Sequence, residues 1–207
     1  MPVHNTQAAV QSMSYVVGSW VRGVTCLDNI MYVVCYKSST IRLYDTQTYS
    51  EFDVVIDVNG MERPHDITVC RDSRQLFVAD CVDLGSPSYI WRVSVDDHSY
   101  VKWLPTDKST THIFSVESLS VTSRRLLVTS DPRSLHQYNT TDRQLLRVVE
   151  LPQFVCDLYH AVETTRGTFV VCHCGTAQSE EQCAVRNLFA VVVNIFAQQA
   201  YFVNVSC

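Results

Sequence analysis

One short apolar segment returns four times along this 207-residue chain. It reads Ile30-Met31-Tyr32-Val33-Val34, then Gln75-Leu76-Phe77-Val78-Ala79. It returns as Arg125-Leu126-Leu127-Val128-Thr129 and as Thr168-Phe169-Val170-Val171-Cys172. With Met31, Leu76, Leu126 and Phe169 taken as equivalent, successive copies stand 45, 50 and 43 residues apart. A period of this size constrains the fold more than any single motif. Each copy must be one supersecondary unit that buries its apolar face against its neighbours.

The unit can be read strand by strand. Before each copy lies a partner: Gly23–Leu27, Asp66–Cys70, Ser118–Thr122 and Tyr159–Glu163. Short polar turns join the pairs, such as Asp28-Asn29 and Thr165-Arg166-Gly167, so each pair reads as a hairpin. A third strand follows, apolar at its first and fourth positions: Ile41–Tyr44, Ile90–Val93, Leu135–Tyr138 and, more weakly, Val185–Leu188. Polar turns at Asp45–Thr48, Asp96–Ser99 and Thr140–Arg143 lead to fourth strands at Phe52–Val58, Tyr100–Leu104 and Leu145–Leu151. Composition agrees: 32 Val and 17 Thr stand against 3 Lys and 9 Ala, which disfavours helices. At 46% hydrophobic residues the chain is not disordered. Four antiparallel strands repeated at about 45 residues make the blade of a β-propeller. The expected fold is therefore all-β, a propeller of four recognisable blades.

These residues resemble the NHL-repeat and WD-repeat propellers. Leu76-Phe77-Val78-Ala79-Asp80 followed by Ile90-Trp91-Arg92-Val93 is similar to an NHL repeat, with an insertion between Cys81 and Tyr89. Ile41 to Thr46 is similar to the corresponding third strand and turn. The Gly-His and Trp-Asp dipeptides of WD repeats are absent, which places the chain nearer NHL repeats. The resemblance spans roughly residues 21–190 and implies a rigid scaffold whose loops hold protein or peptide partners. It also raises a second reading, a metal-dependent hydrolase of lactonase type, in which carboxylates from several blades converge on one ion.

The fourth unit breaks the pattern. After Leu188 the chain reads Phe189-Ala190-Val191-Val192-Val193 with no polar turn. This predicts blades over 21–190, an atypical tail over 191–207, and an N-terminal segment over 1–20. Ser14 to Trp20 could lend a strand to a closed ring; an incomplete ring in a truncated product is the favoured reading.

Charge and chemistry narrow the partners. The net charge is −5, and the basic pairs Arg71/Arg74 and Arg124/Arg125 read as solvated turns. Nucleic acid is not an expected partner on this balance. The amino terminus lacks a basic flank with an apolar block, and no long apolar run occurs, so the expected setting is cytoplasmic, without a membrane. The 9 Cys then read as reduced thiols, with Cys26, Cys35, Cys70 and Cys172 buried in Val-rich strands. Cys172-His173-Cys174, with Cys183 and His160 near, is the one metal-like cluster; on a strand the two sulfurs and His173 fall on opposite faces. Asp80, Asp131 and Asp157 are the carboxylates a propeller hydrolase would use, and they read better as acceptors of backbone hydrogen bonds in turns. Trp20, Trp91 and Trp103 read as packing between blades. No Gly-x-Ser-x-Gly elbow or phosphate loop occurs. No residue is assigned to catalysis, to a cofactor or to a metal.

Overall fold

The computed structural model describes residues 20–81, 88–104, 116–130, 133–153, 155–174, 188–194 and 199–203. These residues form four antiparallel four-stranded sheets, and no helix occurs among them. The first sheet holds β1 (Val21–Leu27), β2 (Ile30–Cys35), β3 (Thr40–Asp45) and β4 (Glu51–Asp57). The second holds β5 (Pro64–Cys70), β6 (Gln75–Asp80), β7 (Tyr89–Ser94) and β8 (Tyr100–Leu104). The third holds β9 (Val116–Thr122), β10 (Arg125–Ser130), β11 (Ser134–Asn139) and β12 (Leu145–Glu150). The fourth holds β13 (Cys156–Glu163), β14 (Phe169–Cys174), β15 (Leu188–Asn194) and β16 (Gln199–Val203). Strands lie in chain order within every sheet, so each sheet is a meander.

The turns explain why the meander repeats. In the first hairpin of each blade a residue takes positive φ: Asp28 at 54°, Arg74 at 52°, Arg124 at 60° and Gly167 at 74°. The turn between third and fourth strands does the same at Tyr49 (57°), His98 (58°) and Arg143 (66°). The two turns are then tied together. The amides of Thr46, Val95 and Thr140 donate to the carbonyls of Asn29, Arg74 and Arg124. Asp45 holds the first of the outer turns by accepting from the amides of Gln47 and Thr48, and those bonds keep its carboxyl below the usual range. Side chains also tie blade to blade. Arg74 pairs with Asp28 at 2.9 Å and Asp96 at 2.7 Å, and Arg124 lies 3.7 Å from Asp72. Arg71, Arg74 and Arg124 are thus turn residues, as their sequence setting implied, while Arg125 opens β10; they also link neighbouring blades.

Packing follows the alternation of each strand. Tyr32, Val34, Ile41 and Ile56 of the first sheet meet Leu76, Val78, Trp91 and Val93 of the second. Phe77, Ala79, Ile90 and Trp103 of the second meet Leu119, Leu126, Val128 and Tyr138 of the third. Leu127, Leu151 and Val155 meet Leu158, Ala161, Phe169 and Val171. The first strands form the inner edge, β1 packing on β5, β5 on β9 and β9 on β13. Gly23 permits the first of these contacts, since a Cβ there would lie 2.7 Å from the amide nitrogen of Ile67. Among the described residues no packing of this extent joins β13 back to β1. The outermost strands β4, β8 and β12 are largely exposed.

Two expectations need correction. The fourth blade is complete in strands. Its third strand is β15, further along the chain than Val185–Leu188, and Phe169 pairs with Val193 while Cys174 pairs with Leu188. A fourth strand, β16, pairs with β15 from Ala190–Val203 to Asn194–Gln199. An unbroken apolar run carries no alternation, so the first-and-fourth signature of the other blades could not find it. The cysteines are also less uniformly buried than expected. Cys35 and Cys70 are buried, but Cys26 is exposed and Cys172 half-buried. The possible strand at Ser14 to Trp20 lies outside the described residues except for Trp20, which precedes β1.

Candidate functional site

His173 is buried, and Cys172 lies on the opposite side of β14, as the alternation required. His160 pairs with Cys172 across β13 and β14. The Cys174 side chain and all of Cys183 lie outside what is described. Asp80 is fully buried, and its carboxylate accepts from the amides of Glu62 and Arg63 and from Trp91 Nε1 at 2.9 Å. That carboxylate accepts backbone hydrogen bonds, but it closes the connection into β5 and not the turn that follows β6, where its sequence setting placed them. Asp131 and the Asp157 side chain are outside the described set. Among the described residues no three His, Cys, Asp or Glu side chains stand close enough to hold an ion.

Two acidic groups bind blades together. Asp66 on β5 accepts from the Leu119 amide of β9 at 2.8 Å and from the Ile67 amide. Burial raises its pKa, and the two amides oppose the rise. Glu163, at the end of β13, is the larger surprise. It accepts from Gln137 Nε2 at 2.7 Å and from Arg147 at 2.8 Å, and Arg125 lies 3.4 Å away. The carboxylate is 1% exposed. All three partners come from the third blade, so this is a buried ionic joint between blades three and four.

His136, buried on β11, bonds Ser134 Oγ through Nε2 at 2.8 Å and stacks on Tyr138. Burial lowers its pKa, with Glu150 opposing. The unfolded chain takes up this proton as the pH falls through the ordinary imidazole range, while the folded chain stays neutral. Stability from this site is therefore complete above that range and is lost as the pH falls through it. We expect thermal melting between pH 7.5 and about 5.5 to show a steeper loss in the native chain than in His136→Asn. Equal slopes would remove His136 from the account.

An open groove of about 360 Å³ lies between blades two and three. It is lined by Ser73, Gln75, Arg92, Ser94, Asp97 and Ser99, with Tyr100, Val101, Thr140 and Thr141 beside them. Asp97 is held down to about 2 by the hydroxyls of Ser94 and Ser99 and by the Ser99 amide, so it stays ionised. Arg92 is different. It shares a row with Phe77 and Val101, is half-buried, and makes no hydrogen bond or ion pair with the described residues. Sequence reasoning passed over Arg92, because a charged residue inside an apolar–x–x–apolar strand reads as the solvent face.

Comparison with known proteins fits the architecture. No protein-family model matches the chain, and no curated protein matches it. Among solved structures it is similar to one titled "Structure of U3-55K", at 12% identity over 89% of this chain and 52% of that one, with TM-score 0.61. It is similar also to "Crystal structure of RRP9 WD40 repeats", at 12% identity over 89% of this chain and 51% of that one, with TM-score 0.62. The fold is thus that of WD40 propellers, and the chain spans about half the length of these two structures. Neither is an NHL domain, so the narrower likeness to NHL repeats finds no support in them. No helix among the described residues is long and apolar enough to cross a membrane.

Proposed function

We propose that this chain is a protein-interaction scaffold that acts without catalysis, and that the groove between blades two and three receives a peptide segment of its partner. The observation that carries this is Arg92, a half-buried guanidinium with no partner among the described residues, in a groove lined by hydroxyls and Asp97. A guanidinium in that position recognises a carboxylate by paired hydrogen bonds. Val101, exposed in the same row, offers an apolar contact beside it. The WD40 neighbours support the reading at the level of architecture, since rigid blades present loops and grooves around a fixed frame. The hydrolase reading has no such support, because Asp80 is committed to backbone amides and Trp91.

Selection from a displayed random-peptide library checks this. Acidic peptides should be enriched on the native protein and lost on Arg92→Glu. Equal enrichment on both proteins would sink the groove as the binding site.

A further inference from the structure

At one end of the first two blades, three cations crowd one aromatic ring. Arg22 of β1 lies 5.0 Å from the centre of the Tyr36 ring, Lys37 of the β2–β3 turn 5.5 Å, and Arg63, just before β5, 6.0 Å. Trp20 stacks on Tyr36 at 6.3 Å and 24°, and Arg22 lies 5.9 Å from the Trp20 ring. The stack is fixed by its backbone, since the Tyr36 amide donates to the Trp20 carbonyl at 2.7 Å. Trp20 is 70% exposed, whereas Trp91 is 3% and Trp103 0%. Trp20 is therefore not the packing residue its sequence implied.

Some cations of this fold are ion-paired and others, such as Arg92 and Lys102, have no ion pair among the described residues. Arg42, Arg74, Arg124, Arg125 and Arg147 each have a carboxylate partner. Arg22 and Lys37 have aromatic contacts and no ion pair among the described residues. Like charges gathered on one ring repel, and an arriving polyanion relieves that repulsion. The net charge of −5 is a sum over the whole chain and does not describe this patch. An acidic peptide would use the cations alone. An exposed ring already stacked, with cations around it, also offers a π-face to a nucleobase.

We propose that Trp20 and Tyr36, with Arg22, Lys37 and Arg63, form a binding platform for single-stranded nucleic acid. A base stacks on Trp20, and flanking phosphates pair with Arg22 and Lys37. Recognition by stacking and charge is tolerant of sequence.

Tryptophan emission reads the site directly, because Trp20 is the exposed indole among Trp20, Trp91 and Trp103. The full chain is titrated with an oligouridylate and an oligothymidylate, each of about twelve nucleotides, and with polyglutamate of the same length. Saturable quenching by either oligonucleotide is expected, and whichever binds more tightly identifies RNA or DNA as the favoured strand. Binding should weaken as salt rises. The double variant Arg22→Glu/Lys37→Glu should bind roughly tenfold or more weakly, with a salt slope reduced by about 1.4 for two lost phosphate contacts. Its thermal melting should be unchanged, since neither side chain is buried. Trp20→Ala, followed with a labelled oligonucleotide, should lose affinity at unchanged salt slope. Undiminished binding by the double variant would overturn the proposal, as would absence of quenching. Polyglutamate binding as tightly as the oligonucleotides, and lost in the Arg22→Glu/Lys37→Glu variant, would overturn it too, and would mark the patch as a surface for acidic proteins.

Discussion

Glu163→Ala is expected to destabilise the protein by about 3–5 kcal/mol. The size follows from what the substitution leaves behind. Glu163 is held by Gln137, Arg147 and Arg125 at a carboxylate with 1% exposure. Removing it leaves the buried Gln137 amide without its acceptor and takes from the half-buried Arg147 its carboxylate partner. Arg147 also lies 4.8 Å from the Phe169 ring centre, so it cannot swing out to water without losing that contact. An apolar replacement of the whole set is a different experiment. Glu163→Leu combined with Arg147→Met and Gln137→Leu should recover much of the loss, because a paired buried charge gains little over well-packed apolar groups. Urea denaturation of the single and triple variants checks both statements. A single-variant loss below about 1 kcal/mol would show that solvent reaches the carboxylate.

Trp103→Ala should cost about 3–5 kcal/mol, the range for truncating a large buried aromatic. The Trp103 ring is fully buried between blades two and three and meets Phe77 at 5.0 Å and Tyr138 at 6.1 Å, both edge to face. Its Nε1 has no hydrogen-bond partner among the described residues. That detail separates two substitutions. Trp103→Phe loses volume but also removes a buried, unsatisfied donor, whose burial costs about 1–3 kcal/mol. It should therefore be much milder than Trp103→Ala in the same denaturation experiment. Similar losses for the two would mean that the indole nitrogen is satisfied by water.

Much of the architecture is legible in the residues. Strands with one apolar face and turns with fixed polar chemistry repeat at one period. The hairpins at Asp28-Asn29 and Arg71–Arg74 therefore announce themselves, and the third and fourth strands of three blades follow. What escapes is whatever breaks local rules for a distant reason. β15 is apolar throughout and shows no alternation. Glu163 closes a strand next to a turn, where a carboxylate ordinarily faces water, and only the stacking of another blade buries it. Trp20 looks like core by residue type, yet it precedes the first described strand and stands in solvent. Arg92 and the Tyr36 cluster gather side chains from separate turns and blades, which no window of sequence contains.

The joint at Glu163 has a consequence for how the blades find their places. Blades built to one pattern present nearly interchangeable greasy faces, and a newly folded blade could seat itself on the wrong neighbour. The faces joining blades one to two are apolar at their centre, as are those joining two to three. A carboxylate pressed against the face of blade two would meet Arg92 in place of the three partners that Glu163 has. Blade four carries that carboxylate, and blade three alone offers Arg125, Gln137 and Arg147 around it. The charge thus works as an address, favouring the face of blade three over a face that lacks this set of partners.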